Sequence, residues 1–134
     1  STPPLFEEIY YGTDLYTVFV NLIKNAVQAM PAGGELDIVG FAQGDHLEIH
    51  IKDTGPGIPP QTLKDIFKPF FTTKSQGQGL GLGLTICQKI ISRYQGVLSV
   101  ESTLGQGAKF IIKLPLADRF HLQSTYDELG GSDQ

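Results

Sequence analysis

The sequence predicts a two-layer α+β sandwich, with helices on one face of a mixed, mainly antiparallel sheet and a lid over one end. Two long segments carry apolar residues at helical spacing, and two pairs of short strand patterns are each joined by a glycine-bearing turn. Their order is helix, strand pair, loop, helix, strand pair. In the first helix Leu15, Val18, Phe19, Leu22, Ile23, Ala26 and Met30 keep the 3.6-residue period as far as Pro31, and Thr13 or Asp14 is the expected N-cap. "PAGG" is a turn. Strands follow over residues 35–41 and 46–53, joined around Gly44 and Asp45. In the second, Leu47, Ile49 and Ile51 alternate with His46, Glu48, His50 and Lys52, which predicts one buried and one wet face. After the loop "DTGPGIPP", a short helix is expected over 61–67 and a polar connection over 68–78, too long for a tight turn and expected to move as a lid. A second long helix over 82–94 ends at Gly96, and "LGQG" turns the chain between strands at 97–102 and 108–114.

At 134 residues the chain is long enough for one domain and one core. Residues 1–116 are expected to form it, with a truncated N-terminal edge strand within "STPPLFEEIYYG" and a flexible tail over 117–134. The net charge of -4 without a basic cluster argues against nucleic acid or an anionic membrane surface as partner. No apolar run approaches the ~20 residues of a membrane span. The single cysteine, Cys87, falls in the apolar pattern of the second helix and is expected in the core, so a reducing cytoplasm fits best.

Several residues could carry chemistry. Asn21, Asn25 and Gln28 lie four and three residues apart and form an amide stripe, which is either a solvated face or a set of hard oxygen donors suited to magnesium beside a phosphate. "DTGPGIP" at 53–59 is either a plain turn or a site where two glycines let backbone approach a flat ligand while Asp53 accepts from an exocyclic amine. An Asp-Thr-Gly also serves aspartic proteases, but a second such carboxylate is absent. "GQGLGLG" at 77–83 precedes a helix, where glycine backbone N–H groups and the helix N-terminus together make a phosphate seat. Phe67, Phe70 and Phe71 with Pro69 are core aromatics or anchors of the lid's base, and Lys74 is a solvated charge or a phosphate contact on lid closure. His46 and His50 stand about 13 Å apart on an extended strand, too far to share a metal. His121 falls in the tail.

Taken together, the blocks resemble the catalytic ATP-binding (Bergerat-fold) domain of bacterial sensor histidine kinases, in the ATPase superfamily that also contains gyrase and the MutL repair proteins. "NLIKNAVQAM" is similar to the family's asparagine block, "DTGPGIP" to its first glycine block, "IFKPFFTTK" to its phenylalanine block, "GLGLGLTI" to its second glycine block and "GQGAKF" to a third. The "NAVQAM" and phenylalanine blocks look most like nitrogen-regulatory-type kinases. The resemblance covers roughly residues 14–114. It implies that Asn25 ligates magnesium with support from Asn21, that Asp53 accepts from the adenine amine, and that Gly55, Gly57 and Ile58 shape the adenine pocket. It further implies that Gly79, Leu80, Gly81, Leu82 and Gly83 hold the phosphates of ATP or ADP, with Lys74 approaching the γ-phosphate.

The resemblance also implies the reaction: transfer of the γ-phosphoryl group to a histidine on a dimerisation and phosphoacceptor domain outside this chain, for relay to a response regulator. The fragment alone is then expected to be a monomer that binds nucleotide without phosphorylating itself, and to make no direct membrane contact. Related hydrolases carry a glutamate where Asn21 stands. The sequence departs from the family's pattern at Gln28, where many members have lysine, at Ala108, where threonine is usual, and at Leu80, often threonine. An anti-sigma-factor-type serine kinase and a non-catalytic ATP-sensing module remain alternatives.

Overall fold

The computed structural model describes residues 4–71 and 83–116, with side chains from residue 14 onward. The order is α1 (Pro4–Gln28), β1 (Leu36–Gln43), β2 (His46–Asp53), α2 (Pro60–Leu63), α3 (Gly83–Arg93), β3 (Val97–Ser102) and β4 (Ala108–Pro115). Four strands form one sheet in the order β1-β2-β4-β3, and every neighbouring pair is antiparallel. Much of the expected lid (72–78), together with the expected tail over 117–134, lies outside the described residues.

Alternation along the strands separates two faces. Ile49, Ile51, Leu98, Phe110 and Ile112 face the helices. Val18, Leu22 and Ala26, four residues apart on α1, meet them together with Cys87, Ile90 and Ile91 of α3. Val18, Leu22, Ile91 and Ile112 are fully sealed from solvent, and each such side chain contributes on the order of 1.5–3 kcal/mol by burial. Cys87 is part of this core, as its place in the apolar pattern suggests, and burial pushes its thiol up to about 11. The helices pack over β2 and β3 and leave β1 as an edge, with Ile38 exposed even on the helix-facing side.

Three expectations change. The first helix does not start at Asp14: α1 runs from Pro4, where an edge strand was expected, since proline at a helix start forfeits no intrahelical bond. Asp14 is thus inside the helix and serves a tertiary contact, accepting from the Tyr94 hydroxyl and lying 3.5 Å from Arg93 Nη1. The helix expected over 61–67 is a single turn, Pro60–Leu63, continued by hydrogen-bonded turns to residue 71. The end of α3 differs in mechanism. Gln95, with φ +63°, occupies the left-handed position usual for glycine, while Gly96 N–H bonds Ile91 O at 2.9 Å and Gln95 N–H bonds Ser92 O at 2.9 Å. Gly96 is displaced by one because β4 runs against it: a Cβ there would collide with Lys113 O.

The outer face of β2 is wet at Lys52, as expected, and only partly so at His46, Glu48 and His50. His46 Nε2 lies 3.1 Å from one Glu48 oxygen and His50 Nε2 lies 2.8 Å from the other, with Glu48 only 12 % exposed. Strand alternation puts all three on one face, and the carboxylate reaches both neighbours. The Phe41 ring stands edge-on to His50 at 5.3 Å. Among the described residues no three or more histidine, cysteine, aspartate or glutamate side chains are grouped to hold a metal. The bonds from His50, then His46, hold the Glu48 carboxyl below its ordinary value of 4.5.

Two outcomes follow from this geometry. Gln95→Gly relieves a left-handed non-glycine residue, which costs roughly 1–2 kcal/mol, so its chemical-denaturation midpoint should rise. Because the native carboxyl of Glu48 titrates below its unfolded value, its contribution is present above pH 4.5 and is lost as pH falls through the lowered native value. Glu48→Gln should therefore flatten the fall of unfolding free energy below that pH, measured by urea titration across the acid range.

Candidate functional site

The C-terminal end of β2 carries Asp53, the one polar or charged side chain that is buried among the described residues, 4 % exposed. A buried carboxylate needs donors. Asp53 Oδ1 accepts from Gly55 N–H at 2.8 Å and from Ala108 N–H at 3.2 Å; Oδ2 takes neither bond. The first donor comes from the loop at 53–59, the second from the start of β4, so one oxygen joins both segments. Gly107, with φ +85°, passes so close that a Cβ would collide with Asp53 O. Gly57, with φ +78°, is pressed in the same way against Thr103 O.

The loop is tied at further points. Gly105 N–H bonds Pro56 O at 2.8 Å. Ile58 N–H donates to Ser102 Oγ at 2.7 Å, and that hydroxyl donates to Gly107 O at 2.8 Å. Thr54 exchanges two bonds with Glu35 and extends the β1–β2 ladder by one rung.

The amide stripe of α1 runs beside this loop. Gly55 is held so near α1 that a Cβ would lie 3.1 Å from Ala29 O, the residue just past the helix end. Two turns earlier Asn21 is half-buried, its Nδ2 donates to Thr17 O at 2.9 Å, and its Oδ1 lies where a Cβ on Gly83 would approach to 2.9 Å. Residues 21, 25 and 29 are successive positions on one helix stripe. Asn25, half-buried, therefore stands between the carboxylate loop and the first residue of α3, while Gln28 is exposed at the end of α1. Among the described residues α3 begins at Gly83, and residue 82, where the sequence places its start, lies outside them. Thr85 Oγ1 donates to Phe67 O at 2.9 Å and fastens the first turn of α3 to the phenylalanine block. There Phe67 and Phe71 pack on the core, and Phe70 turns outward at 72 % exposure with φ +67°.

Asn21, Asn25, Asp53, Gly55, Gly57, Ile58, Gly83 and Ala108 thus fall along one edge of the helix–sheet interface. Lys74, Gly79, Leu80, Gly81 and Leu82 lie outside the described residues. Sequence reading missed Ser102 and Thr85. The partner of Ser102 is 44 residues away and that of Thr85 is a carbonyl, so neither bond leaves a periodic trace.

The family described as histidine kinase-, DNA gyrase B- and HSP90-like ATPase matches residues 11–118. The chain belongs to this family. Its relatives include Sporulation kinase C of Bacillus subtilis (strain 168), 45% identical over 102 residues, which span 76% of this chain and 23% of that protein. Another is the signal transduction histidine-protein kinase AtoS of Escherichia coli (strain K12), 45% identical over 103 residues spanning 76% of this chain and 17% of that protein. The chain therefore spans about a quarter or less of these relatives. Among solved structures, a nucleotide-free catalytic domain of histidine kinase ThkA superposes with TM-score 0.69 at 36% identity, covering 77% of this chain and 66% of that one. Full-length ShkA in complex with AMPPNP gives 0.68 at 32% identity, covering 76% and 21%. The α+β fold is that of histidine kinase catalytic domains, and the chain is an ATP-binding domain of this kind.

Gly83→Ala tests the contact between α1 and α3. Alanine is favoured over glycine in a helix by up to ~1 kcal/mol, so the thermal midpoint should hold or rise. The added methyl displaces Asn21 Oδ1, so the Asn21 side-chain amide resonance should shift and ADP affinity should fall.

Proposed function

We propose that this chain is the nucleotide-binding catalytic domain of a nitrogen-regulatory-type sensor histidine kinase, binding ATP with magnesium and passing its γ-phosphoryl group to a histidine on a dimerisation domain of the same kinase. A response regulator would then take the phosphoryl group. The observation that carries this reading is the placement of one α1 stripe against both the Asp53 loop and the start of α3. From residue 21 to residue 29 that stripe runs about 12 Å at 1.5 Å per residue, comparable to the reach of a nucleotide from base to phosphates.

In this arrangement Asp53 Oδ2, left open by the two backbone donors on Oδ1, accepts from the exocyclic amine of adenine. Gly55, Gly57 and Ile58 keep the backbone close to the base plane. Asn25, whose amide oxygen is a hard donor, would hold a magnesium ion with support from Asn21, which lies beside Gly83; both are half-buried. Such an ion would supply charge neutralisation for phosphoryl transfer. Gly83, with Gly79, Leu80, Gly81 and Leu82 before it, offers backbone N–H groups to the phosphates, and Lys74 pairs with the γ-phosphate. The acceptor imidazole nitrogen bonds to the γ-phosphorus as its bond to the bridging oxygen breaks, and ADP leaves.

Asn21 bears on the choice between transfer and hydrolysis. Its Nδ2 is engaged by Thr17 O and an amide takes no proton at neutral pH, so it cannot activate water. Ala108 lacks the hydroxyl of the family's threonine, but its backbone N–H still bonds Asp53. A cytoplasmic setting is part of the proposal, since ATP and the response regulator are there. Among the described residues no helix is long and apolar enough to cross a membrane.

Calorimetry with magnesium and ADP or ATP tests the binding, and Asp53→Asn should weaken it tenfold or more, about 1.4 kcal/mol. Unchanged affinity in that variant, or none in the native chain, would overturn the reading. Adding the dimerisation domain in trans should give an acid-labile phosphoprotein; an acid-stable one would point to serine as the acceptor.

A further inference from the structure

The Asp53 carboxylate is aimed by a peptide unit that Ser102 holds from behind. Gly107 C=O and Ala108 N–H are the two ends of one planar peptide, so fixing the direction of the carbonyl fixes that of the N–H. Ser102 Oγ–H donates to Gly107 O at 2.8 Å, and Ala108 N–H donates to Asp53 Oδ1 at 3.2 Å. The same hydroxyl oxygen accepts from Ile58 N–H at 2.7 Å, in the loop that follows Asp53. Ser102 is the last residue of β3 and pairs with Ala108 across the ladder, so a rigid strand carries it. Gly107, in the left-handed region at φ +85°, lies directly against the Asp53 backbone, but no side chain of its own sets the direction of its carbonyl. The hydroxyl is the restraint.

We propose that Ser102 is a positioning residue for base recognition: through the Gly107–Ala108 peptide and Ile58 it holds Asp53 Oδ1 occupied and Oδ2 turned toward the ligand. This rests on the adenine-binding role proposed for Asp53. Ser102 touches no ligand, and its effect passes entirely through the two segments that it joins. Without the hydroxyl, the carbonyl end of the peptide loses its hydrogen bond, Ala108 N–H is aimed less firmly at Asp53, and the carboxylate loses the direction that selects an amine over a carbonyl on the purine ring. Adenine preference should then fall more than fold stability does.

The test uses the chain with Ser102→Ala, Ser102→Cys, which keeps the volume but bonds weakly, and Ser102→Thr, which keeps the hydroxyl. In the ligand-free protein, amide hydrogen exchange at Ile58 and Ala108 should quicken at least tenfold in the alanine and cysteine variants and stay native in the threonine variant. Calorimetry should show ADP affinity down about tenfold and the ADP-over-GDP ratio reduced in the same two variants, with recovery in Ser102→Thr. Native Ala108 protection or an unchanged ADP-over-GDP ratio in Ser102→Cys would overturn the proposal. If the native chain binds no adenine nucleotide, the role of Asp53 falls and base recognition with it. The exchange data alone then decide whether Ser102 orients the peptide.

Discussion

A carboxylate that is almost fully buried has to be met by donors, and Asp53 meets two backbone N–H groups at one oxygen. Bonds of this charge-assisted kind are about twice as strong as neutral ones. They join the loop after β2 to the beginning of β4, just beyond the Lys52–Lys109 rung where the β2–β4 ladder ends. The glycines nearby follow from that meeting. Gly107 and Gly57 stand where backbone crosses backbone, and each has a positive φ that a side chain would strain. The second carboxylate oxygen takes neither of these bonds.

The first helix acts as the spine along which the rest of the site is spaced. One stripe of α1 buries Val18, Leu22 and Ala26 against the sheet. The adjacent stripe meets Gly83 at Asn21 and Gly55 at Ala29. Both contacts depend on residues without side chains, so α3 and the Asp53 loop approach the helix more closely than packed side chains would allow. Thr85 and Phe67 then fasten the start of α3 to the segment before residue 72. Packing energy and site geometry therefore come from neighbouring faces of one element.

Where reading and structure part, a tertiary contact outweighs a local preference. Thr13 and Asp14 are good caps by composition, yet α1 continues past them and Asp14 bonds Tyr94, 80 residues on. Gly96 looks like a helix stop, but the left-handed residue is Gln95, because β4 needs the space at Gly96. His46 and His50 belong to the polar face of β2 by alternation, and the strand puts Glu48 between them, bonded to both. In each case the deciding partner lies across the fold or between the residues considered, and spacing along the chain does not encode it.

The helices, the two strand pairs, the core residues and the blocks carrying Asn21, Asn25, Asp53 and the glycines were all legible in the amino-acid order. Each depends on local periodicity or on residue types whose conformational limits act within a few positions. The tertiary structure alone decided that the strands join as β1-β2-β4-β3, that Ala108 and Gly55 share one oxygen of Asp53, and that Ser102 closes the loop onto the turn. Those bonds run between groups as many as 55 residues apart, several of them backbone atoms that every residue possesses, so only the packed chain selects which of them meet.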